Sequence, residues 1–310
     1  MKALALYSGG LDSTLAIKII AAQGVEVIAL HFLTPFSKCE GEQIKKITSK
    51  VKDQLGAEIK IISLGEEFLE IVRHPRFGYG KNLNPCIDCK ILMLKQAKQL
   101  MRELGASFII TGEVLGQRPK SQYKDTLRLI EKQAGLEGLL LRPLSAKLLP
   151  PTIPEIDGWV KREQLFDFNG RSRTSQMKLA GKLGIKEYAW PAGGCLLTIS
   201  SFCTRVKDLL EHNELTCDNV ILLHLGRHFR LSPALKLVVG KDEKQNLKLL
   251  NLAKERDIIF EPQELPGPTA IGRGKLEQGL KILAASIIAR YTAQGAKDIK
   301  VLVRNIPQNT

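Results

Sequence analysis

Six residues near the amino terminus, Ser8-Gly9-Gly10-Leu11-Asp12-Ser13, combine two glycines with two hydroxyls and a carboxylate. They fall between a short apolar run, KALALY (2–7), and a stretch with helical apolar spacing and a glycine stop, DSTLAIKIIAAQG (12–24). A glycine pair between strand and helix makes a tight turn with its N–H groups facing outward, and the helix amino end adds a partial positive charge. Such a turn cradles phosphate. Ser8 and Ser13 can donate hydroxyl hydrogen bonds, and Asp12 can hold a Mg²⁺ that bridges phosphate oxygens. The spacing is neither that of a Walker loop nor that of a dinucleotide-binding G-x-G-x-x-G. An ordinary βα turn capped by Asp or Ser uses similar residues, but it does not require them as one unit.

Cysteine supplies the second candidate chemistry. The six thiols lie at 39, 86, 89, 195, 203 and 217, and in a chain of this length without an evident signal peptide they do not read as a disulfide framework. In NPCIDCK (84–90), Cys86 and Cys89 sit at i and i+3 of an incipient helix, so their sulfurs share a face and the helix amino end favours thiolate. Cys195, in PAGGCLLT (191–198), follows two glycines that permit a sharp turn. Three thiolates suffice for a 4Fe–4S cluster with one iron left open, whereas structural zinc takes four ligands. Cys39, Cys203 or Cys217 could complete a zinc site, and a redox dithiol or plain buried thiols are further alternatives.

The elements that must position these groups alternate. VEVIALHF (25–32), AEIKIISLG (57–65) and ASFIITGE (106–113) read as strands, with helices over 41–56 and 86–105. With KALALY they predict an α/β fold with a doubly wound parallel sheet. The pattern loosens over 114–165, where LLPPTIP (148–154) excludes regular helix. Beyond it, 220–240 reads as strand, 275–295 as an amphipathic helix and 301–307 as a closing strand. The expected division is a domain over 1–212 and a smaller α+β domain over 213–310.

The formal charge is +14 with a pI near 9.5, which suits a polyanionic partner, although a lysine-rich solvated surface gives the same balance. Aromatic residues make up only 5%, so phosphate contact is a better mode than base stacking. No run reaches the length of a membrane span, and the expectation is a cytoplasmic protein with no membrane partner.

SGGLDS resembles the PP-loop ATP pyrophosphatases, which adenylate a substrate and release pyrophosphate. The order PP-loop, PCxxCK, GGCLLT is similar to that of the tRNA thiouridine synthases, and LLRPLSAK (140–147) and GRSRTSQMKLAGKLGI (170–185) extend the likeness over roughly residues 1–205. The resemblance implies ATP on Ser8, Gly9, Gly10, Asp12 and Ser13, with His31 of LHF and Thr111 and Gly112 of TGE bordering the nucleotide. It implies catalytic or cluster-binding roles for Cys86, Cys89 and Cys195, with Mg²⁺ on Asp12 and tRNA as substrate. The amino-terminal RNA-binding module of the 4-thiouridine synthases, a rhodanese domain and the paired C-x-x-C motifs of other thiolases are not found.

Residues 215–310 resemble the RNA-binding domain of NFACT proteins through LVVGKDEKQNLKLLNLA (237–253), DIIFEPQELPGPTAIGR (257–273) and the LEQGL…AASIIARYT helix. This makes Arg227, Arg230, Lys236, Lys241 and Arg273 candidates for phosphate contact, with Arg171 and Arg173 guiding RNA in the first domain. The expected activity is an ATP-dependent tRNA sulfurtransferase. A cysteine-independent PP-loop RNA ligase or amidating enzyme, a non-catalytic ATP-binding RNA-binding factor and an ATP-independent desulfurase are the alternatives. The sulfur donor (free sulfide or a persulfide carrier), the base, the choice of C2 or C4 and the oligomeric state stay open.

Overall fold

Strand β1 (Lys2–Leu6) is buried on both faces, and its residues divide between two cores. Ala3 and Ala5 pack on one side of the sheet with Leu15 and Ile17 of α1 (Leu11–Ala21), while Leu4 packs on the other with Ile91 and Leu94. The same alternation holds in β2 (Glu26–Leu33), where Val27 and Ala29 oppose Ile28 and Leu30. Side chains of a strand point alternately to the two faces, so continuous apolar runs mark strands covered on both sides. Truncating Leu4, which is fully buried, to alanine costs about 2–5 kcal/mol.

The structure is a computed structural model that describes residues 1–37, 41–185, 188, 195–292 and 298–306. Cys39 and residues 191–194 therefore lie outside the described residues. The described chain divides into two units, Met1–Ile199 and Ser200–Thr310, and helix Ser200–Glu211 counts with the second.

In the first unit α2 (Gly41–Lys50) continues into a π-helical turn at Val51–Leu55 and leads to β3 (Glu58–Ser63), α3 (Glu66–Arg73) and α4 (Cys86–Glu103). Then come β4 (Phe108–Thr111), α5 (Lys124–Ala134), the short β5 (Leu140–Leu141), the single turn α6 (Ile153–Ile156) and α7 (Thr174–Lys182). The five strands are parallel in the order β3-β2-β1-β4-β5. The order reverses between β1 and β4, which is where open α/β sheets hold ligands at their strand carboxyl ends. The doubly wound sheet read from the sequence is present. Helices α3 and α5 were not read from it.

The second unit comprises α8 (Ser200–Glu211), α9 (Cys217–Leu222), β6 (Arg227–Ser232), β7 (Leu235–Val239), α10 (Glu243–Leu252), β8 (Ile258–Pro262), β9 (Ala270–Gly274), α11 (Gln278–Arg290) and β10 (Val301–Asn305). Its antiparallel sheet runs β10-β8-β9-β7-β6. Leu237, Val239 and Phe260 pack with Ala284 and Ile288 of α11, while Val238, Ile259 and Ile271 pack with Leu249 of α10 on the other face. This is the expected α+β arrangement. The strand reading of 220–240 needs correction at its start: Val220–Leu222 belong to α9, which Thr216 caps by accepting the Asn219 N–H at 3.3 Å. Sheet pairing begins at Arg227.

Candidate active site

The turn between β1 and α1 is closed by its own hydroxyls. Gly9 adopts φ +77°, a conformation a side chain would strain, and Gly10 precedes the helix without a side-chain cap. Ser13 Oγ donates to the Gly10 carbonyl at 2.9 Å and accepts the Ser8 N–H at 3.3 Å, while Thr14 Oγ1 donates to the same carbonyl at 3.0 Å. These bonds fold the turn back on α1. The first N–H groups of a helix have no acceptor within it and face whatever sits before its end.

Gly112 explains how β4 approaches so closely. A Cβ there would stand 2.4 Å from both the Asp12 carbonyl carbon and the Ser13 nitrogen. The backbone after β4 therefore lies directly against the first turn of α1. Asp12 is held from this side: its Oδ2 accepts from Gln117 Nε2 at 2.7 Å, with Arg173 Nη2 at 3.7 Å. Its Oδ1 is buried and has no hydrogen-bond partner among the described residues. A buried carboxylate oxygen without a donor suits a divalent cation, so Asp12 fits the Mg²⁺ expected of it.

A cavity of about 430 Å³ opens beside this turn. Ser8, Asp12 and Ser13 line it together with His31, Thr111, Gly112 and all three sequence-selected thiols, Cys86, Cys89 and Cys195. Residues more than a hundred positions apart are thus brought to one chamber. Burial pushes the Cys89 thiol up to about 12; Cys195 and Cys86 add to the rise and the Lys90 ammonium opposes it. The thiolate expected from the helix amino end is outweighed here by desolvation. Among the described residues no group of three or more His, Cys, Asp or Glu stands ready to hold a metal. Cys86, Cys89 and Cys195 line one chamber, whereas Cys203 and Cys217 belong to the second unit.

Several residues around the thiols carry no motif of their own. Asp88, between the two cysteines, accepts the Arg76 and Phe77 N–H groups at 3.1 and 3.2 Å and so fixes the segment before α4. Lys90 is ion-paired with Glu113, which also receives Arg142 Nε at 3.1 Å; Arg142 in turn bonds Glu131 at 2.9 Å. Burial alone would raise the Glu113 pKa, but Lys90 and Arg142 hold it at about 2. On the other side of β1, His31 Nδ1 lies 2.9 Å from the Tyr7 carbonyl. A carbonyl accepts, so Nδ1 carries the hydrogen and Nε2 is left as an acceptor. Burial lowers the His31 pKa, with the Tyr7 bond opposing.

The cations selected from the sequence have different surroundings. Arg173 stands at the turn between β1 and α1 beside Asp12, and Arg171 is exposed. In the second unit Arg230 forms bonds of 2.6–3.1 Å to Asp208 and Glu214, and Lys236 pairs with Asp208. Arg273 is bound to Asp257 and Asn219. Arg227 stacks 4.4 Å over the Tyr291 ring, and Lys241 is exposed. Three of these five cations are therefore neutralised within the domain.

A parallel sheet with a Ser-Gly-Gly turn at its switch point is a doubly wound α/β arrangement that offers a cradle for phosphate. Residues 1–147 match the family model described as thiamine biosynthesis protein (ThiI), and residues 226–310 match that described as NFACT protein RNA binding domain. Each match covers less than half of the chain, the first at its start and the second at its end. A probable tRNA sulfurtransferase of Thermococcus kodakarensis is 31% identical over 144 residues, 46% of this chain and 36% of that protein. A tRNA-specific 2-thiouridylase MnmA of Sulfurimonas denitrificans is 30% identical over 127 residues, 40% of this chain and 37% of that protein. The chain spans about a third of the length of these curated relatives. A crystal structure of a 4-thiouridine synthetase–RNA complex with bound ATP aligns at a TM-score of 0.44 and 20% identity, covering 71% of this chain and 53% of that one.

Proposed function

We propose that this protein is an ATP-dependent tRNA sulfurtransferase that replaces a uridine carbonyl oxygen with sulfur. The observation that carries this reading is the placement of Cys86, Cys89 and Cys195 in the chamber that Ser8, Asp12 and Ser13 also line. The amino-terminal match to a ThiI model and the tRNA sulfurtransferase relatives support it. The reading takes tRNA as partner and the cytoplasm as location.

In this reading the uridine oxygen attacks the α-phosphorus of ATP and pyrophosphate leaves. The start of α1 and Ser8 position the phosphates, while Asp12 would hold Mg²⁺ against them. The adenylated carbon then accepts a sulfur nucleophile and AMP departs, so the oxygen leaves on AMP and no external oxidant is needed. Cys86, Cys89 and Cys195 would be the residues to hold a 4Fe–4S cluster, and such a group would supply a binding site for sulfide. With a persulfide on one of these thiols instead, its outer sulfur would attack the adenylated carbon as AMP leaves. A second thiol would release the thiouridine from the mixed disulfide, forming a protein disulfide that an external thiol reductant returns to the dithiol. Lys90 and Arg142 keep Glu113 ionised and so hold α4 beside the nucleotide turn. The apolar lining, including Leu30, Phe32 and Met93, limits water at the activated carbon.

The test is anaerobic. Purified protein is assayed for iron and acid-labile sulfide, then incubated with ATP, sulfide and bulk tRNA, and the nucleosides are analysed. ATP-dependent thiouridine that disappears in Cys86→Ala supports the reading. Pyrophosphate release that survives this substitution while no thionucleoside forms in the wild type favours an amidating or lysidine-type ligase instead.

A further inference from the structure

We propose that Gln176 and Gln117 form an amide relay that positions Asp12 for its divalent cation. The inference rests on the nucleotide-binding part of the proposed function and assigns a role to two residues to which the sequence reading gave none. Gln176 Nε2 donates to Gln117 Oε1 at 2.9 Å, and Gln117 Nε2 donates to Asp12 Oδ2 at 2.7 Å. Gln176 is fully buried and Gln117 nearly so.

The direction of this chain is fixed at one end. A carboxylate accepts and cannot donate, so Gln117 must turn its amide nitrogen toward Asp12. Its oxygen then faces Gln176, which must present nitrogen in turn. Gln176 Oε1 has no hydrogen-bond partner among the described residues. The relay thereby commits Oδ2, with Arg173 alongside, and leaves the buried, unpartnered Oδ1 as the oxygen available to the cation. Partners of this kind orient metal ligands, and losing them typically weakens metal affinity by about tenfold or more.

The two amides come from different elements, which is what makes the relay a positioning device. Gln117 lies on the segment after β4 that Gly112 presses against α1, and Gln176 lies in the first turn of α7. The carboxylate is thus set by backbone on both sides of the turn. Gln117 and Gln176 touch no reacting atom and act through Asp12.

Nucleotide binding by the full chain, titrated with ATP in EDTA and across a Mg²⁺ series without tRNA, tests this. Gln117→Met keeps the volume and removes the donor. It should raise the Mg²⁺ half-saturation about tenfold while ATP affinity in EDTA stays within about twofold. Gln176→Met should give a smaller rise. Gln176→Glu should exceed Gln176→Met, because its carboxylate draws the Gln117 nitrogen away from Asp12 and turns an oxygen toward it. A merely structural role would not produce this order. Thermal unfolding checks that each variant is folded, and the two methionine variants carry the test if Gln176→Glu is not. Folded methionine variants with wild-type Mg²⁺ dependence, or with equal losses in EDTA and Mg²⁺, overturn the relay. A wild type that binds no nucleotide overturns the relay and the nucleotide reading together. A wild type with normal Mg²⁺-dependent binding that thiolates no tRNA sinks the proposed activity and leaves the relay standing.

Discussion

Lys90 on α4 is ion-paired with Glu113 just after β4, so the helix bearing Cys86 and Cys89 is fastened to the strand that borders the turn between β1 and α1. Glu113 and Arg142 are both buried. Removing the Glu113 carboxylate takes away the ion pair of Lys90 and one of the two carboxylates on a guanidinium that is only 4% exposed, with Glu131 remaining. Glu113→Ala should therefore cost about 3–5 kcal/mol, the scale of breaking a buried pair. Lys90→Met leaves Glu113 bonded to Arg142 and should cost clearly less. Denaturant unfolding of both variants checks the order. Equal costs would mean that Lys90, not Arg142, carries the anchoring.

Two glycines near the turn should behave differently on substitution. Gly9→Ala meets no atom within 4 Å, and its cost is that of a left-handed conformation, about 1–2 kcal/mol. Gly112→Ala drives a methyl group into the backbone of Asp12 and Ser13 at 2.4 Å, and no side-chain rotation relieves that. The loop must move, so nucleotide affinity should fall by at least about tenfold (roughly 1.4 kcal/mol). Stability should fall by about 1–3 kcal/mol as in overpacking. Isothermal titration and thermal unfolding measure the two separately.

Much of this site was legible in the sequence because its signals are local. The Ser-Gly-Gly turn, the C-x-x-C at a helix start and the strand-helix alternation each lie within a few residues of one another. Cys195 stood out as a third thiol through the glycine pair before it, and the resemblance strengthened its link to Cys86 and Cys89, since no spacing rule spans a hundred residues. Gln117, Gln176, Glu113 and Arg142 stayed hidden for the same reason: a buried glutamine or ion pair has meaning only through its partner, and those partners are 11 to 105 positions away. Helix α5 was missed because KDTLRLIEKQA buries only Leu127, Ile130 and Ala134 among charged residues. In the second unit the sequence displayed cations, whereas the carboxylates that neutralise Arg230, Lys236 and Arg273 come from other elements.

Acid should weaken the fold in two windows. Burial depresses the His228 pKa from 6.5 to about 3, with Arg205 and Lys236 acting in the same direction. Below pH 6.5 the unfolded chain takes up a proton that the folded ring refuses, so stability falls as pH drops from about 6.5 toward 3. The Glu113 pKa is lowered from 4.5 to about 2, so its contribution is complete above 4.5 and is lost as pH falls toward 2. Urea unfolding from pH 8 to pH 4 should show the first decline, and His228→Asn should flatten it between pH 6.5 and 4. A stability that does not change between pH 7 and 4 in the wild type would contradict the buried neutral ring.

The cations should likewise separate into two kinds on mutation. Arg171 and Lys241 are exposed, and their charge is available to a phosphate. Alanine at either should weaken tRNA binding by a few-fold and reduce the slope of log affinity against log salt by up to about one. Arg230 is different, because its guanidinium serves both Asp208 and Glu214. Arg230→Ala leaves two partly buried carboxylates beside one lysine and should lower the unfolding temperature of the second unit. Filter binding at several salt concentrations, read beside thermal unfolding, distinguishes these effects. If Arg230→Ala kept full stability yet lost tRNA affinity with a reduced salt slope, its charge would belong to the RNA interface and not to the fold.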